Sequence, residues 1–170
     1  KSRKSFSNQA ETAEIMALLR AIEANLDFCG FLLDETGDED PAIGVICMYS
    51  EQKRMLQKAF HSQNWRDDFL SMVKIDTVDS YQGKENRIVI VSLVLSSIDK
   101  NPRFLRLPNR INVAMSRAMD RLIVVGDLRM WAVNNSDRPL GKVASYIQAR
   151  QTDSRYLIKG AEDKQMELSK

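Results

Sequence analysis

Apolar residues at Ile15, Leu18, Leu19, Ile22 and Leu26 follow one another at i, i+3, i+4, i+7 and i+11, so residues 9–26 are expected to form an amphipathic helix. The run AIGVICM, residues 42–48, is short and continuously apolar, the pattern of a strand buried on both faces. Helical spacing returns over 50–63, with Ser50 placed as its N-cap. Residues 72–78 alternate, and RIVIVSLV at 87–94 is almost unbroken, so both segments are expected to be strands. Behind Pro108, a residue tolerated in a first helical turn, residues 109–119 carry helical spacing again. RLIVVGD at 121–127 is another apolar strand run. A short helix around Trp131, a helix over 141–151 and a short strand at 155–160 complete the pattern.

Strands apolar on both faces, separated by helices, imply an α/β fold with three layers, α/β/α, around a mostly parallel sheet. Ligands on such sheets gather beyond the carboxyl ends of the strands. Those ends carry Tyr49, residues 79–85, residues 92–97 and Asp127. The acidic run DETGDEDP, residues 34–41, is expected to be an exposed loop, and the chain has no internal repeat.

Composition narrows this picture only slightly. The 170 residues suffice for one domain with its own core, assigned to residues 1–160, with 161–170 a charged tail. A net charge of +2 does not mark a nucleic-acid binder in bulk, so any basic surface is local. Cys29, Cys47 and the single His61 do not make up a four-ligand zinc site, and no metal site is expected. The cysteines fit buried thiols in a reducing cytoplasm. No run approaches the ~18 apolar residues of a membrane span, so no membrane partner is expected. The basic start, KSRK, leads into no apolar signal core, and its opening on Lys1 fits a piece of a longer chain.

Two polar stretches carry candidate chemistry. In SYQGKE, Gly83 lets backbone turn sharply or approach a ligand, Gln82 offers a donor and an acceptor, and Glu85 offers two acceptor oxygens suited to a ribose hydroxyl. The same six residues also fit a plain hairpin turn, and taken alone they favour it. Arg110, Ala114, Arg117 and Arg121 share one helical face and suit a polyphosphate, since guanidinium meets phosphate bidentately. A solvated basic face, with Arg117 paired to Asp120, explains that spacing as well. FLLDET at 31–36 has the look of a magnesium-binding acidic strand end. That role needs an upstream GxxxxGK[ST], which this sequence lacks, so Asp34 and Glu35 are assigned to a loop.

Together the two stretches carry a resemblance. TVDSYQGKENRIVIVSLV resembles motif V of superfamily 1 helicases of the Upf-like and Dna-two-like group, and NRINVAMSRAMDRLIVVGD resembles their motif VI. IGVICMYSEQKRML and SNQAETAEIMALL are similar to earlier segments of the same domain, so the resemblance runs from about residue 5 to residue 133. It implies a second, C-terminal RecA-like domain without its own phosphate loop. ATP would lie between this domain and an N-terminal RecA-like domain of the same protein, which would hold most of the ATP and Mg²⁺. Single-stranded DNA or RNA would cross both domains, and the fragment alone would be inactive and bind no nucleotide tightly.

By motif position, Arg117 is the arginine finger, Glu85 contacts the ribose or γ-phosphate region, and Gly83 is the close-approach glycine. Gln82 links the cleft to the strand-binding face, and Arg110 lies near the cleft. Tyr49, Thr77, Asp79 and Ser80 lie where the group touches the single strand. The chain departs from the group at Cys47-Met48, where Thr-Pro is common, at Asn109, where an arginine is usual, and at Met119. A degenerate RecA-like binding module and an unrelated nucleotide-binding α/β domain are the alternatives.

Overall fold

The computed structural model describes residues 5–36, 41–81, 83–95 and 108–152. They fall into two compact units, Lys1–Asp127 and Leu128–Lys170. In the first unit the elements are α1 (Gln9–Ala24), α2 (Leu26–Thr36), β1 (Ile43–Cys47), α3 (Ser50–His61), α4 (Asp67–Met72), β2 (Val73–Thr77), a 3₁₀ turn (Val78–Tyr81), β3 (Asn86–Ser92), α5 (Pro108–Met115) and β4 (Ala118–Val125). The second unit holds α6 (Leu128–Ala132), which contains Trp131, and α7 (Pro139–Gln148), which starts on its proline. The strand expected at 155–160 lies outside the described residues.

The four strands form one sheet in the order β2-β1-β3-β4, and every neighbouring pair is parallel. Strand order explains the hydropathy. Central β1 is buried along its whole length and β3 at all but Arg87, and these are the unbroken apolar runs. The edge strands β2 and β4 are only partly buried and carry Lys74, Asp76, Asp120 and Arg121. Ile43, Val45 and Cys47 of β1 and Ile88 and Ile90 of β3 pack into one core with Ile15 and Leu19 of α1, Leu32 of α2, Leu56 and Phe60 of α3 and Phe69 of α4. The alternate residues Ile46, Val89 and Val91 are buried on the opposite face, which takes the 3₁₀ turn, and α5 packs on that turn. Trp65 stacks on Phe60 at 4.9 Å, and the Arg20 guanidinium covers it at 3.7 Å. Among the described residues no helix is long and apolar enough to cross a membrane. Cys29 and Cys47 are buried free thiols.

Several local expectations are corrected. The first helix is broken at Asn25 into α1 and α2, and α2 continues through Asp34 and Glu35. These two acids are therefore helical, and Glu35 pairs with Arg87 of β3 at 2.9 Å. Ser50 does not cap α3. Tyr49 occupies the cap position without a side-chain capping bond, and the Ser5 hydroxyl accepts from the Glu51 N–H at 2.9 Å. The helix expected over 109–119 stops at Met115, because Ala118 already pairs with Asn86 in the β3–β4 ladder. Ile111 and Ala114 are its buried residues, and Ala118 and Leu122 belong to β4.

Candidate functional site

In the parallel register Cys47 faces both Thr77 and Ser92, so the carboxyl ends of β1, β2 and β3 are level. Tyr49, Thr77, Asp79 and Ser80 gather beyond this edge. The Tyr49 ring is 8% exposed and meets Phe6 edge to face at 5.4 Å, and burial pushes its phenol up to about 12. The Thr77 and Ser80 hydroxyls lie 3.2 Å apart. The Thr77 N–H donates to Asp76 Oδ1 at 2.8 Å, and Lys53 Nζ reaches the same oxygen at 2.8 Å. Burial alone would raise the Asp76 pKa, but the bonds from Lys53 and Thr77 outweigh it and hold the carboxyl below its usual range. Asp79 is exposed and receives two bonds from Arg110 of α5, at 3.0 and 3.1 Å.

From Thr77 the chain has to reach the first residue of β3. Both strands run parallel to β1 and lie on either side of it, so residues 78–85 travel back across β1 from the carboxyl to the amino end of the sheet. A hairpin is thereby excluded, since β2 and β3 are not neighbours. The polar knot, expected as a unit at a carboxyl end, is divided: residues 77–80 sit at that end and Gly83 to Glu85 at the other. Gln82 lies outside the described residues.

Tyr81, wholly buried, donates its hydroxyl to Lys74 O at 3.1 Å. It fits because residue 44 is glycine: a Cβ there would press on Asn86 Oδ1 and lie 2.7 Å from the Tyr81 hydroxyl. Gly83 is exposed with φ +80, a left-handed conformation that strains any L side chain. Glu85, also exposed, immediately precedes β3.

Arg117 arrives at this amino end from the other direction. It is half-buried in the turn between α5 and β4, rather than on the helix, and its C=O accepts from the Asn86 N–H at 3.0 Å. Its guanidinium donates to Val113 O at 3.2 Å, Lys84 O at 3.4 Å and Ser116 Oγ at 3.0 Å, all neutral oxygens. The alternative Arg117–Asp120 pair does not form among the described residues, and Asp120 pairs with Arg87 at 3.2 Å. Helix α5 thus delivers Arg110 to Asp79 at one end and Arg117 to the Gly83–Glu85 segment at the other, instead of presenting both together. Arg121 is on β4, off that helical face altogether.

A buried polar network was missed in the sequence. The Asn8 side chain caps α1 by accepting from Ala10 and Glu11 N–H, and the Asn8 backbone N–H donates to Gln52 Oε1 at 2.7 Å. Glu11, 5% exposed, accepts from the Ser92 hydroxyl at 2.6 Å and from the Val94 N–H at 2.9 Å, holding Val94 at φ +71. Burial raises its pKa despite those bonds. The signal was present as Asn8-x-x-Glu11, the spacing of a capping box, but the glutamate turns to β3 instead of to its own helix. Among the described residues no cluster of three or more His, Cys, Asp or Glu side chains could hold a metal ion.

Comparison with known proteins gives three kinds of relative. An AAA domain family model matches residues 1–129. The chain is 37% identical over 118 residues to the DNA replication ATP-dependent helicase/nuclease DNA2 of Xenopus tropicalis, an alignment covering 68% of this chain and 11% of that protein. It is 38% identical over 86 residues to Helicase sen1 of Schizosaccharomyces pombe, covering 51% and 5%. It is 32% identical over 129 residues to Regulator of nonsense transcripts 1 of Caenorhabditis elegans, covering 75% and 11%. The chain therefore spans no more than 11% of the length of these relatives.

Proposed function

This chain belongs to the AAA domain family and carries motifs V and VI of a superfamily 1 helicase, and on that premise we propose that it is the C-terminal RecA-like motor domain of an ATP-dependent helicase acting on single-stranded DNA or RNA. The observation that carries this reading is the position of Arg117. Its guanidinium meets only neutral oxygens and lies beside the backbone of Lys84, between exposed Gly83 and Glu85. A cation left without a carboxylate among the described residues, next to an open left-handed glycine, fits the phosphate side of a nucleotide.

In this reading Arg117 neutralises charge that gathers on the γ-phosphate in the transition state. Gly83 lets backbone approach the nucleotide, and Glu85 accepts from a ribose hydroxyl. Arg110, read by motif position as near the cleft, bonds Asp79 at the opposite, carboxyl edge and ties α5 to the crossing loop there. ATP, when bound, supplies the phosphoryl group whose transfer to water drives the motor. With no GxxxxGK[ST] in this sequence, Mg²⁺ and the β-phosphate fall to the N-terminal RecA-like domain, the proposed partner. At the opposite edge Thr77 and Ser80 offer hydroxyls to the backbone of a single strand, with Tyr49 and Asp79 beside them. One short connection, from Thr77 to Asn86, joins the two edges, so a shift at the nucleotide is carried to the strand through it.

The test is Arg117→Ala in the full-length protein. Turnover is expected to fall at least ~10²-fold with little change in melting temperature or single-strand affinity, and lysine at this position to rescue little, since it lacks the planar fork. Near-wild-type turnover would end the arginine-finger assignment. A full-length protein that binds single strands without turning over ATP would be a binding module instead.

A further inference from the structure

We propose that Tyr81 and Asn86 are positioning residues for Arg117, locking the crossing loop into a slot that Gly44 leaves open in the sheet. The proposal rests on the assignment of Arg117 above and extends it to two side chains that face the protein interior rather than the nucleotide. They bracket the segment that carries Gly83 and Glu85. Tyr81 is wholly buried and Asn86 is 4% exposed, so neither has surface to offer a ligand.

Each is anchored by a polar bond to a different strand or its approach. The Tyr81 hydroxyl donates to Lys74 O of β2 at 3.1 Å, and Asn86 Nδ2 donates to Pro41 O, just before β1. Both occupy the space that a Cβ on Gly44 would fill. The loop therefore passes over β1 at the one residue of that strand without a side chain, pinned at its two ends.

The link to Arg117 is direct. The Asn86 N–H donates to Arg117 O, and the ladder between β3 and β4 is irregular between Asn86 and Ile88, at the same spot. The pose of Asn86 therefore sets where the turn holding Arg117 sits. Asn86 Oδ1 is buried and has no hydrogen-bond partner among the described residues. A buried, unpaired oxygen is costly and persists where the surroundings over-determine the residue. An asparagine kept in that state, between the arginine turn and the loop, is explained by the geometry it imposes better than by the stability it adds.

The experiment is a double-mutant cycle in the full-length protein, with Asn86→Ala, Tyr81→Phe and Arg117→Ala made singly and Asn86→Ala and Tyr81→Phe each combined with Arg117→Ala. A misplacement of about 1 Å costs up to ~10²-fold in rate, so Asn86→Ala is expected to lower kcat roughly ten- to a hundredfold. KM for ATP and single-strand affinity should stay within about twofold. Because Asn86 acts through Arg117, the loss should vanish in the Arg117→Ala background, where the double mutant turns over like Arg117→Ala alone. Tyr81→Phe keeps the ring and loses only the hydroxyl. It should show the same pattern more weakly and decides the matter if Asn86→Ala does not fold.

Losses that simply add, or a kcat left unchanged in both variants, would overturn the positioning role. If Arg117→Ala itself turns over normally, the arginine-finger reading fails first and the positioning role falls with it. An impaired Arg117→Ala beside additive losses removes the positioning role alone.

Discussion

Glu11 and Asp76 both sit under the carboxyl edge of the sheet, yet their surroundings shift them in opposite directions. Burial lifts the Glu11 carboxyl above its ordinary value, so the folded chain holds that proton more tightly than the unfolded chain. Its contribution to stability accordingly falls as pH rises from the ordinary carboxylate value through the raised one. Asp76 is depressed by Lys53 and Thr77 against the pull of burial. Its contribution is present above the ordinary value and is lost as pH falls through the depressed one. Urea unfolding across acidic pH checks both signs. The stability of wild type relative to Glu11→Gln should grow on acidification through the Glu11 window, whereas relative to Asp76→Asn it should shrink. A Glu11→Gln difference that shrinks instead would mean that the bonds from Ser92 and Val94 outweigh burial.

Among the elements, the fate of residues 116–121 is the clearest contest. Ile111, Met115, Ala118 and Leu122 satisfy a helical period, so the sequence extends α5 through Met119. The same stretch satisfies a strand, and β3 offers it a ladder beginning at Asn86, so Ala118 onward is taken by the sheet. Arg117 falls in the turn as a result, which puts its guanidinium next to Lys84 rather than on a helix face beside Arg110. Two glycines test the packing of these elements. Gly44→Ala in β1 forces a Cβ against Asn86 and Tyr81 and should lower stability by about 1–3 kcal/mol. Gly30→Ala on α2 meets nothing within 4 Å and should raise it by about 0.5–1 kcal/mol, through helix propensity alone. Equal effects in denaturant melts of the two variants would contradict the slot above β1.

For the whole 170-residue chain, charge and motif content bound what it does by itself. The net charge is +2, and Thr77 and Ser80, two of the side chains proposed to meet the strand, are neutral. Few counterions are released on binding, so a plot of log affinity for a labelled single strand against log salt should be no steeper than about −2. With no GxxxxGK[ST] in its sequence, the purified chain is also expected to show no ATP turnover. Tight, steeply salt-dependent binding would require a basic surface outside the proposed contacts. Turnover by the chain alone would require a phosphate-holding site of its own.

Periodicity and unbroken apolar runs are local properties, and they sufficed for a parallel α/β sheet, for the cores of all four strands and for most of the helices. The motifs at 77–94 and 109–127 were equally legible, because each is a contiguous string whose residue types carry the resemblance. What meets what was not. The order β2-β1-β3-β4 is set by long-range pairing, and that order alone sends residues 78–85 across β1 and divides one polar knot between opposite ends of the sheet. The bonds of Arg110 to Asp79 and of Arg87 to Glu35 and Asp120, and the burial of Glu11 against Val94, join residues from 31 to 83 positions apart. Local spacing carries no trace of such partners, since they exist only once the strands have taken their places.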